Sequence, residues 1–333
     1  LAIDIETYNP DGKNILPEQH PILMVALFGK TFKKVITWKI FPTSENYIEF
    51  VENEKALIEK TKEYIKEYSP DILTGYFSDG FDLPYLMTRA KINNVKFSIG
   101  IDDSEPTKQK GRFSSVDVKG ISHIDLFNFI RIVIGRSLKT DSLKLNDVAE
   151  ELLGEKKEDV DVEFLAHAWD NNVNLEDFCR YNLKDSVLTY KLFMKLLPNL
   201  EEMVKLVGMP IFDVSRMSFS QLVEWYIIRL CKEYNEIVLN KPGYNETNER
   251  MSKRFKGAFV YEPTPGLYEN LAVFDFMSLY PTIIVSHNVG INSLNCSHEE
   301  CQKSKVPLED EDLWFCKKDK DFISNIIENI ISR

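Results

Sequence analysis

The sequence predicts a protein of mixed α/β class (α+β overall), and two observations carry this prediction. Short apolar runs alternate with longer amphipathic segments, an order of strand, helix and strand that is typical of α/β units. The chain has 333 residues, 44% of them hydrophobic, so it is long enough to bury a substantial core. Its length suggests about two or three domains.

Apolar runs predict the strands of a first sheet, and the residues between them predict turns and helices. A strongly charged helix is expected over residues 47–68, ended by Ser69 and Pro70, because proline disfavours helical geometry in the residue before it. The polar stretch 105–120 is expected to form an exposed hairpin or loop. The predicted strands are residues 1–6, 22–29, 34–41, 71–76 and 122–126.

Helices dominate the middle of the chain. Residues 127–153 alternate between helix and loop patterns, and a long helix is predicted over residues 175–196. Pro198 is expected to interrupt that helix, since proline lacks the backbone N–H that a helix interior needs. Further helices are predicted over residues 200–236, followed by a polar linker at 240–248.

A new pattern of strand and helix follows the linker. An apolar strand is predicted over residues 270–276, and a helix is predicted to begin at Pro281, a residue type suited to a first helical turn. The predicted domains are residues 1–200, a helical connector over 201–250 and a last domain over 251–333.

The composition narrows the class of protein. A net charge of −11 does not indicate a general affinity for nucleic acid, so a nucleic-acid partner would be held by local basic clusters or by metal ions. There is no apolar run of about 18 residues and no signal-peptide pattern, so we expect a soluble, cytoplasmic protein without membrane contact. Leu1 already lies in a strand pattern, which suggests that the chain begins within a larger protein.

The five cysteines fall into two groups. Cys179 and Cys231 lie on helical patterns and are expected in the core. Cys296, Cys301 and Cys316 lie close together in sequence and could form one disulfide or, with His298, bind a metal. A local disulfide or free thiols are favoured over zinc, because the Cys-x-x-Cys spacing typical of zinc sites is absent.

Two acids on the first strand are the first candidate site. Side chains alternate between the faces of a strand, so Asp4 and Glu6 share one face. They could line a solvated sheet edge, or they could bind a cation. Other acids further along the chain favour the cation.

Asp82 and Asp185 are those further acids. Asp82 follows a strand and begins a helix, where it could also serve only as an N-cap. Asp185 lies four residues after Tyr181 on a helix face that carries apolar residues, so it needs either an arginine or a cation as partner. Four such carboxylates match the needs of two divalent ions about 3.5–4 Å apart in phosphodiester hydrolysis. Oxygen ligands favour Mg²⁺ or Mn²⁺.

Three segments in this order resemble the exonuclease motifs of family B DNA polymerases. They are Asp4-Ile5-Glu6-Thr7, Gly75-Tyr76 followed by Phe81-Asp82-Leu83-Pro84-Tyr85-Leu86, and Tyr181 with Asp185. The resemblance implies an RNase H-like DEDD domain with 3′→5′ proofreading activity. It implies that Asp4, Glu6, Asp82 and Asp185 bind the metal ions and that Tyr181 orients the attacking water.

The second motif departs from the family at one position. Phe77 stands where many relatives carry an Asn that helps to engage the single-stranded end, and an aromatic ring there could stack on a base instead. The segment Ser122-His123-Ile124-Asp125-Leu126 also resembles the family, with Asp125 either structural or functional.

A second constellation follows in the last third of the chain. The string Asp275-Phe276-Met277-Ser278-Leu279-Tyr280-Pro281 resembles motif A of the family B palm. The resemblance implies that Asp275 and the Phe276 carbonyl bind catalytic ions and that Ser278 and Leu279 contact an incoming dNTP. It also implies that Tyr280 excludes a 2′-hydroxyl.

A small basic element precedes motif A. The segment Phe255-Lys256-Gly257-Ala258 resembles the family element between exonuclease and palm, with Phe255 in place of the usual Tyr, and Lys253, Arg254 and Lys256 form a basic cluster there. Basic side chains beside small residues are expected to contact DNA phosphates, although a solvated basic turn is the alternative. Two further segments, Asp213-Val214-Ser215-Arg216 and Asn240-Lys241-Pro242, match archaeal members.

The motifs that are absent limit the predicted activity. In the family, a Lys-x-x-x-Asn-Ser-x-Tyr-Gly helix and an Asp-Thr-Asp strand complete the polymerase site, and neither occurs here. The resemblance therefore predicts part of an archaeal polymerase that degrades single-stranded DNA but needs other polymerase segments, with primer-template DNA and dNTP, to polymerise. A stand-alone exonuclease and a non-catalytic DNA-binding subunit of a split polymerase are the alternatives.

Overall fold

The computed structural model describes residues 1–333 except 11–14, 110–113, 136, 156–163, 239, 254–256, 258, 308–311 and 333. These residues form two compact units, Leu1–Tyr226 and Ile227–Arg333. Helices and strands are both abundant, so the predicted mixed α/β class is confirmed. The three predicted domains stay a prediction.

The first unit is built on a six-stranded sheet. The strands of this unit are β1 (Ala2–Thr7), β2 (Ile22–Gly29), β3 (Phe32–Thr37), β4 (Ile48–Phe50), β5 (Ile72–Gly75), β6 (Thr107–Gln109), β7 (Ser115–Asp117) and β8 (Ser122–Asp125). The main sheet has the order β4-β3-β2-β1-β5-β8, and β6 pairs with β7 as a separate hairpin. The β1–β2 and β2–β3 pairs are antiparallel, whereas the remaining pairs of the main sheet are parallel.

Two predictions about the first strands need correction. The third strand covers Phe32–Thr37 rather than residues 34–41. The charged segment predicted as one helix divides into β4 and the helix α1 (Glu54–Tyr68). The division lies at Asn53, whose side chain accepts a 3.0 Å hydrogen bond from the Ala56 amide and so caps the helix, while the residues before it pair with β3.

Helices cover both faces of the sheet. After α1, the helices that begin in this unit are α2 (Asp82–Ile92), α3 (Leu126–Phe129), the π-helical turn Ile130–Ile134, α4 (Leu145–Leu153), α5 (Leu165–Asn171), α6 (Leu175–Val207), α7 (Ile211–Val214) and α8 (Phe219–Cys231). On one face, α1 and α2 pack against Ile3 and Ile5 of β1. On the other face, α5 and α6 pack against Met24 and Ala26 of β2.

The predicted break at Pro198 does not occur, because α6 continues through it to Val207. A proline in a helix interior costs roughly 3 kcal/mol. Leu196 and Leu200, on either side of it, are buried in the cluster that α6 forms with α3 and α4. Burial of this helix face offsets the missing hydrogen bond.

The regular elements among the described residues of the second unit are helices. Its helices after α8 are α9 (Tyr244–Ser252), α10 (Leu279–His287), α11 (Glu299–Gln302) and α12 (Phe322–Ile331). The predicted linker is therefore helical from Tyr244 onward. The predicted strand over residues 270–276 is wrong: within the described residues it pairs with no other strand, and an isolated strand leaves its backbone groups without partners.

Among the described residues, none of the helices combines the length and the apolar character needed to cross a bilayer.

Candidate metal centre

Strand β1 directs two carboxylates toward α6. Ile3 and Ile5 are buried on the side of α1 and α2, so Asp4 and Glu6 point to the opposite side. In the antiparallel register, Asp4 faces Ala26 and Glu6 faces Met24, and both of these neighbours belong to the core beneath α6. The solvated-edge alternative is wrong, because β1 lies between β2 and β5 inside the sheet.

Helix α6 brings the third carboxylate to this strand. The ligand oxygens of Asp4, Glu6 and Asp185 all lie within 4.8 Å of one another. Phe178 and Leu188 on α6 are buried, which orients this helix toward the sheet as the sequence predicts. Three acids at such distances repel one another unless a cation or bound protons reduce their charge.

Asp82 supplies a fourth acid from the start of α2. It is the first residue of the helix, not its N-cap, and its Oδ1 accepts a 3.1 Å hydrogen bond from the Ile5 amide of β1. Burial, with further contributions from the charges of Asp125 and Asp185, raises the pKa of Asp82 to about 7. The hydrogen bond from the Ile5 amide opposes this shift but does not cancel it.

Asp4 interacts with each of the other three acids of the cluster. Burial and the charges of Asp185, Asp82 and Glu6 raise its pKa well above the ordinary value. Asn182 opposes this shift, because its Nδ2 donates a 2.6 Å hydrogen bond to Asp4 Oδ2. The ionisation of Asp4 therefore depends on all three neighbouring acids and on Asn182.

Sequence reasoning missed Asn182. It lies three residues before Asp185, and residues at that spacing are neighbours on one helix face. That spacing could have identified it, although Asn is common on helix surfaces. Its side chain is fully buried, and within the described residues its Oδ1 has no hydrogen-bond partner.

The donor set fits a hard divalent cation. The cluster offers carboxylate oxygens, which are the donors that Mg²⁺ and Mn²⁺ prefer. The pKa of Asp4 is raised by burial and then by the repulsion of the neighbouring acids, and a cation would relieve that repulsion. The unpaired Asn182 Oδ1 beside Asp4 adds a further buried acceptor at this place.

The remaining residue of the predicted site, Tyr181, lies on the same helix. Tyr181 is partly exposed and is placed one turn before Asp185 on α6, so both side chains project from the same side. The predicted neighbourhood of Tyr181 and Asp185 is thus found in the structure.

Asp125 has a structural role that the sequence left open. This fully buried acid accepts hydrogen bonds of 3.0 Å from the backbone amides of Phe77 and Asp79, and it also caps α3. It therefore fixes the loop between β5 and α2, which carries Phe77 and leads to Asp82. Phe77 is 47% exposed, has a φ of 67° and packs edge-on against Phe127 at 5.2 Å between ring centroids.

A buried ionic network anchors the same loop. Arg216 Nε donates a 2.8 Å hydrogen bond to Asp79 Oδ2, and His123 lies between Asp79 and Ser78. Burial alone would raise the pKa of Asp79, but the hydrogen bonds and charges of His123 and Arg216 lower it to about 2. Ser78, His123 and Asp79 have the composition of a hydrolytic triad, yet all three are buried, so they stabilise the loop.

The motif A residues are not assembled with other acids. Within the described residues, the clusters of potential metal ligands are the Asp4 set and a cysteine set, and Asp275 belongs to neither. Asp275 is exposed, as are the predicted contact residues that follow it, namely Phe276, Ser278, Leu279 and Tyr280. Ser278 has a φ of 53° and directly precedes α10.

The predicted basic element is only partly described. Lys253 follows α9, and its Nζ lies 3.0 Å from Glu249 Oε1 in an exposed ion pair. Gly257 is exposed. Arg254 and Lys256 lie outside the described residues.

Comparison with known proteins gives matches in both units. Residues 1–148 match the family model described as DNA polymerase family B, exonuclease domain, and residues 211–333 match the model described as DNA polymerase family B. The chain is 37% identical over 332 residues to the DNA polymerase of Pyrococcus glycovorans, covering 99% of this chain and 41% of the relative. It is 36% identical to DNA polymerase 1 of Pyrococcus abyssi, covering 42% of that protein.

A solved structure resembles the whole described chain. It is the family B DNA polymerase from the hyperthermophilic archaeon Pyrobaculum calidifontis, with a TM-score of 0.74 and 27% identity. The match covers 99% of this chain and 41% of that structure. This chain thus spans about two fifths of the length of the relatives that it matches.

Proposed function

We propose, from the fact that this chain belongs to DNA polymerase family B, that its first unit is a 3′→5′ exonuclease acting on single-stranded DNA ends. The observation that carries the proposal is the meeting of Asp4, Glu6 and Asp185 within 4.8 Å, with Asp82 held against the same strand. This unit has the RNase H-like exonuclease fold, and exonuclease domains of the family generally use divalent metals.

We further propose that the metals are Mg²⁺ or Mn²⁺, two ions per site. Asp4, Glu6, Asp82 and Asp185 would hold them, since these are oxygen donors and none is a soft ligand. When bound, such ions act as Lewis acids and offset the negative charge of the phosphodiester.

Residues of the chain itself provide the rest of the site. Asn182 fixes the carboxylate of Asp4 through the hydrogen bond to Oδ2, which keeps this ligand in one orientation. Tyr181 is proposed to hold the attacking water through its hydroxyl. Phe77, exposed on the loop that leads to Asp82, is proposed to stack on a base of the frayed strand.

The second unit is proposed to contribute to nucleotidyl transfer in a larger polymerase. Asp275 and the Phe276 carbonyl would bind ions there, and Ser278, Leu279 and Tyr280 would contact an incoming dNTP. The match of residues 211–333 to the family supports this assignment. The remaining polymerase segments would be needed as partners in cis or in trans, because the 333 residues contain no Asp-Thr-Asp.

Two further assignments are proposals. The basic residues Lys253, Arg254 and Lys256, with Gly257, would contact primer-template DNA through its phosphates. The protein would act in the cytoplasm of an archaeon, as the archaeal relatives suggest.

A nuclease assay on the purified 333-residue chain tests the first proposal. With a 5′-labelled single strand and Mg²⁺, we expect products shortened one nucleotide at a time from the 3′ end. Asp4→Ala and Asp185→Ala should each lower the rate about a thousandfold or more, because loss of metal-assisted catalysis costs several kcal/mol. Asp177→Ala is the control, since Asp177 is an exposed acid on α6 paired with Arg180 at 3.0 Å.

Each rival function predicts a different result. A non-catalytic subunit would bind DNA without shortening it, and the variants would have no effect. A stand-alone exonuclease that acts on RNA would degrade an RNA strand of the same sequence faster than DNA. Incorporation of dNTP by the purified chain without a complementing fragment would contradict the limit that we place on its polymerase activity.

A further inference from the structure

Three thiols and one imidazole lie close together in the second unit. The ligand atoms of Cys296, His298, Cys301 and Cys316, here called the Cys₃His cluster, all lie within 4.8 Å of one another. The sequence favoured a disulfide or free thiols, because no Cys-x-x-Cys pair is present. Folding brings together four residues whose spacing in the sequence does not indicate a zinc site.

Backbone contacts, rather than a covalent link, hold the two segments of the Cys₃His cluster together. Leu294 and Phe315 form an antiparallel bridge, and the Cys316 amide donates a 2.8 Å hydrogen bond to the Ser293 carbonyl. The Trp314 indole donates a 2.9 Å hydrogen bond to the Cys296 carbonyl. The ligands are therefore placed by structure that does not depend on a disulfide.

The surroundings of the sulfur atoms suit bound thiolates. The amide of Lys317 lies 3.4 Å from Cys301 Sγ, and the amide of Asp319 lies 3.3 Å from Cys316 Sγ. Backbone N–H groups directed at sulfur offset part of the charge of a metal-bound thiolate.

His298 has the orientation expected of a ligand. Its Nδ1 lies 3.4 Å from Cys316 Sγ and so faces the cluster. Its Nε2 faces the Asp319 carboxylate, 3.7 Å away. A metal-bound histidine commonly directs its second nitrogen toward a carboxylate in this way.

We propose that the Cys₃His cluster is a structural zinc site. Three cysteines and one histidine form a complete tetrahedral set, which is typical of zinc sites that stabilise a fold. In a tetrahedron with Zn–S bonds of about 2.3 Å, the sulfurs lie about 3.8 Å apart. The observed spread of up to 4.8 Å requires only a small contraction around the ion.

A disulfide explains the same residues less well. It would join two sulfurs at about 2.04 Å and leave the third cysteine and the histidine unused. All three cysteines of the cluster are free in this structure. Cys296 and His298 are partly exposed, which provides an entry path for the ion, whereas Cys301 and Cys316 are buried.

Metal analysis of the untagged 333-residue chain tests this proposal independently of nuclease activity. After growth with added Zn²⁺ and gel filtration, we expect about one zinc per chain. Cys301→Ser and Cys316→Ser should lose it. Cys231→Ser alters a free cysteine outside the cluster and should keep it. Asp185→Ala should also keep it, which excludes zinc bound at the carboxylates.

A histidine series and a thiol count keep the test decisive if the serine variants do not fold. His298→Ala should lose zinc, whereas His298→Cys should retain it, because four thiolates also bind zinc. After denaturation with a chelator, all five cysteines should react with a thiol reagent. Three reactive thiols, indicating a disulfide, would overturn the proposal, as would five reactive thiols in a chain that carries no zinc.

Discussion

The side-chain amide of Asn182 donates a 2.6 Å hydrogen bond to Oδ2 of Asp4 and so joins helix α6 to the central strand β1. The charges of Asp185, Asp82 and Glu6 all disfavour an ionised Asp4, whereas this hydrogen bond favours it. Asn182 thus helps to keep the Asp4 carboxylate charged and fixed in direction, which a metal ligand requires.

Replacing Asn182 by Leu should slow the nuclease about ten- to a hundredfold. A hydrogen bond to a charged group contributes roughly 1.5–3 kcal/mol, and about 1.4 kcal/mol corresponds to a factor of ten in rate. The measurement is the single-turnover rate at saturating Mg²⁺. Ser186→Ala is the control, because Ser186 is buried on the same helix but bonds to the Leu183 carbonyl. If both variants lost the same fraction of the rate, the cause would be a change in helix α6 and not the lost hydrogen bond to Asp4.

Metal binding should strengthen as the pH rises from 6 to 8. Asp82, with its pKa raised to about 7, and Asp4, with its pKa also raised, hold protons at the lower pH, and a cation must displace them. Each proton displaced makes the affinity about tenfold tighter per pH unit below the pKa. Calorimetry in two buffers of different ionisation enthalpy would count the protons, and Asp82→Asn should reduce that count. Affinity independent of pH would contradict this expectation.

The same shifts predict the pH dependence of stability without metal. In the folded chain Asp82 still holds a proton at pH values where, in the unfolded chain, its ordinary pKa of 3.8 means that this proton has been released. Between about pH 4 and 7 the folded state therefore binds more protons, so these groups make the free energy of unfolding fall as the pH rises. Added Mg²⁺ should raise the melting temperature more at pH 8 than at pH 6. Scanning calorimetry with and without a chelator measures both effects.

Arg216→Ala should lower the free energy of unfolding by about 3–5 kcal/mol, because it removes the arginine that is paired with the buried Asp79 carboxylate. Arg180→Ala, which removes exposed ion pairs on α6, should cost less than about 1 kcal/mol. Urea unfolding measures both values. The pKa of Asp79 is lowered to about 2, so its stabilisation is present above pH 3.8 and is lost as the pH falls toward 2. The difference in the free energy of unfolding between wild type and Arg216→Ala should become smaller as the pH falls from 3.8 toward 2.

Phe77→Asn should weaken binding of a single-stranded 3′ end by about 1–3 kcal/mol, the usual contribution of one stacked base. Asn is chosen because it tolerates the left-handed backbone of this position, where φ is 67°, so the loop should keep its shape. Fluorescence anisotropy in an Asp4→Ala background would avoid degradation of the strand. Phe164→Asn, at an exposed aromatic residue elsewhere in the first unit, is the control. Similar affinity for Phe77→Asn and wild type would exclude stacking at this position.

Local periodicity allowed part of the carboxylate site to be predicted. The alternation of a strand placed Asp4 and Glu6 on one face, and the helical repeat placed Tyr181 and Asp185 on one face. The order of these motifs then indicated that the two faces meet, and the ligand oxygens of Asp4, Glu6 and Asp185 lie within 4.8 Å of one another. These inferences succeed because they depend only on backbone geometry and on neighbours close in sequence.

Other features depend on contacts between residues that are distant in sequence, and their predictions from the sequence were wrong or left open. Pro198 was expected to end α6, but burial of the surrounding leucines maintains the helix. Asp82 allowed an N-cap interpretation until the Ile5 amide of β1 was found against its Oδ1. The segment 270–276 has the composition of a strand, yet strands form only with a hydrogen-bonded neighbour.

Motif spacing and periodicity predict the α/β class, the candidate carboxylates and the likeness to DNA polymerase family B, because both are local properties of the sequence. The groups that surround those acids are known only from the folded structure. The Asn182 contact, the Asp79 and Arg216 pair and the Cys₃His cluster join residues that are far apart in sequence. Their energies arise from burial and close charge, and both exist only after the chain has folded.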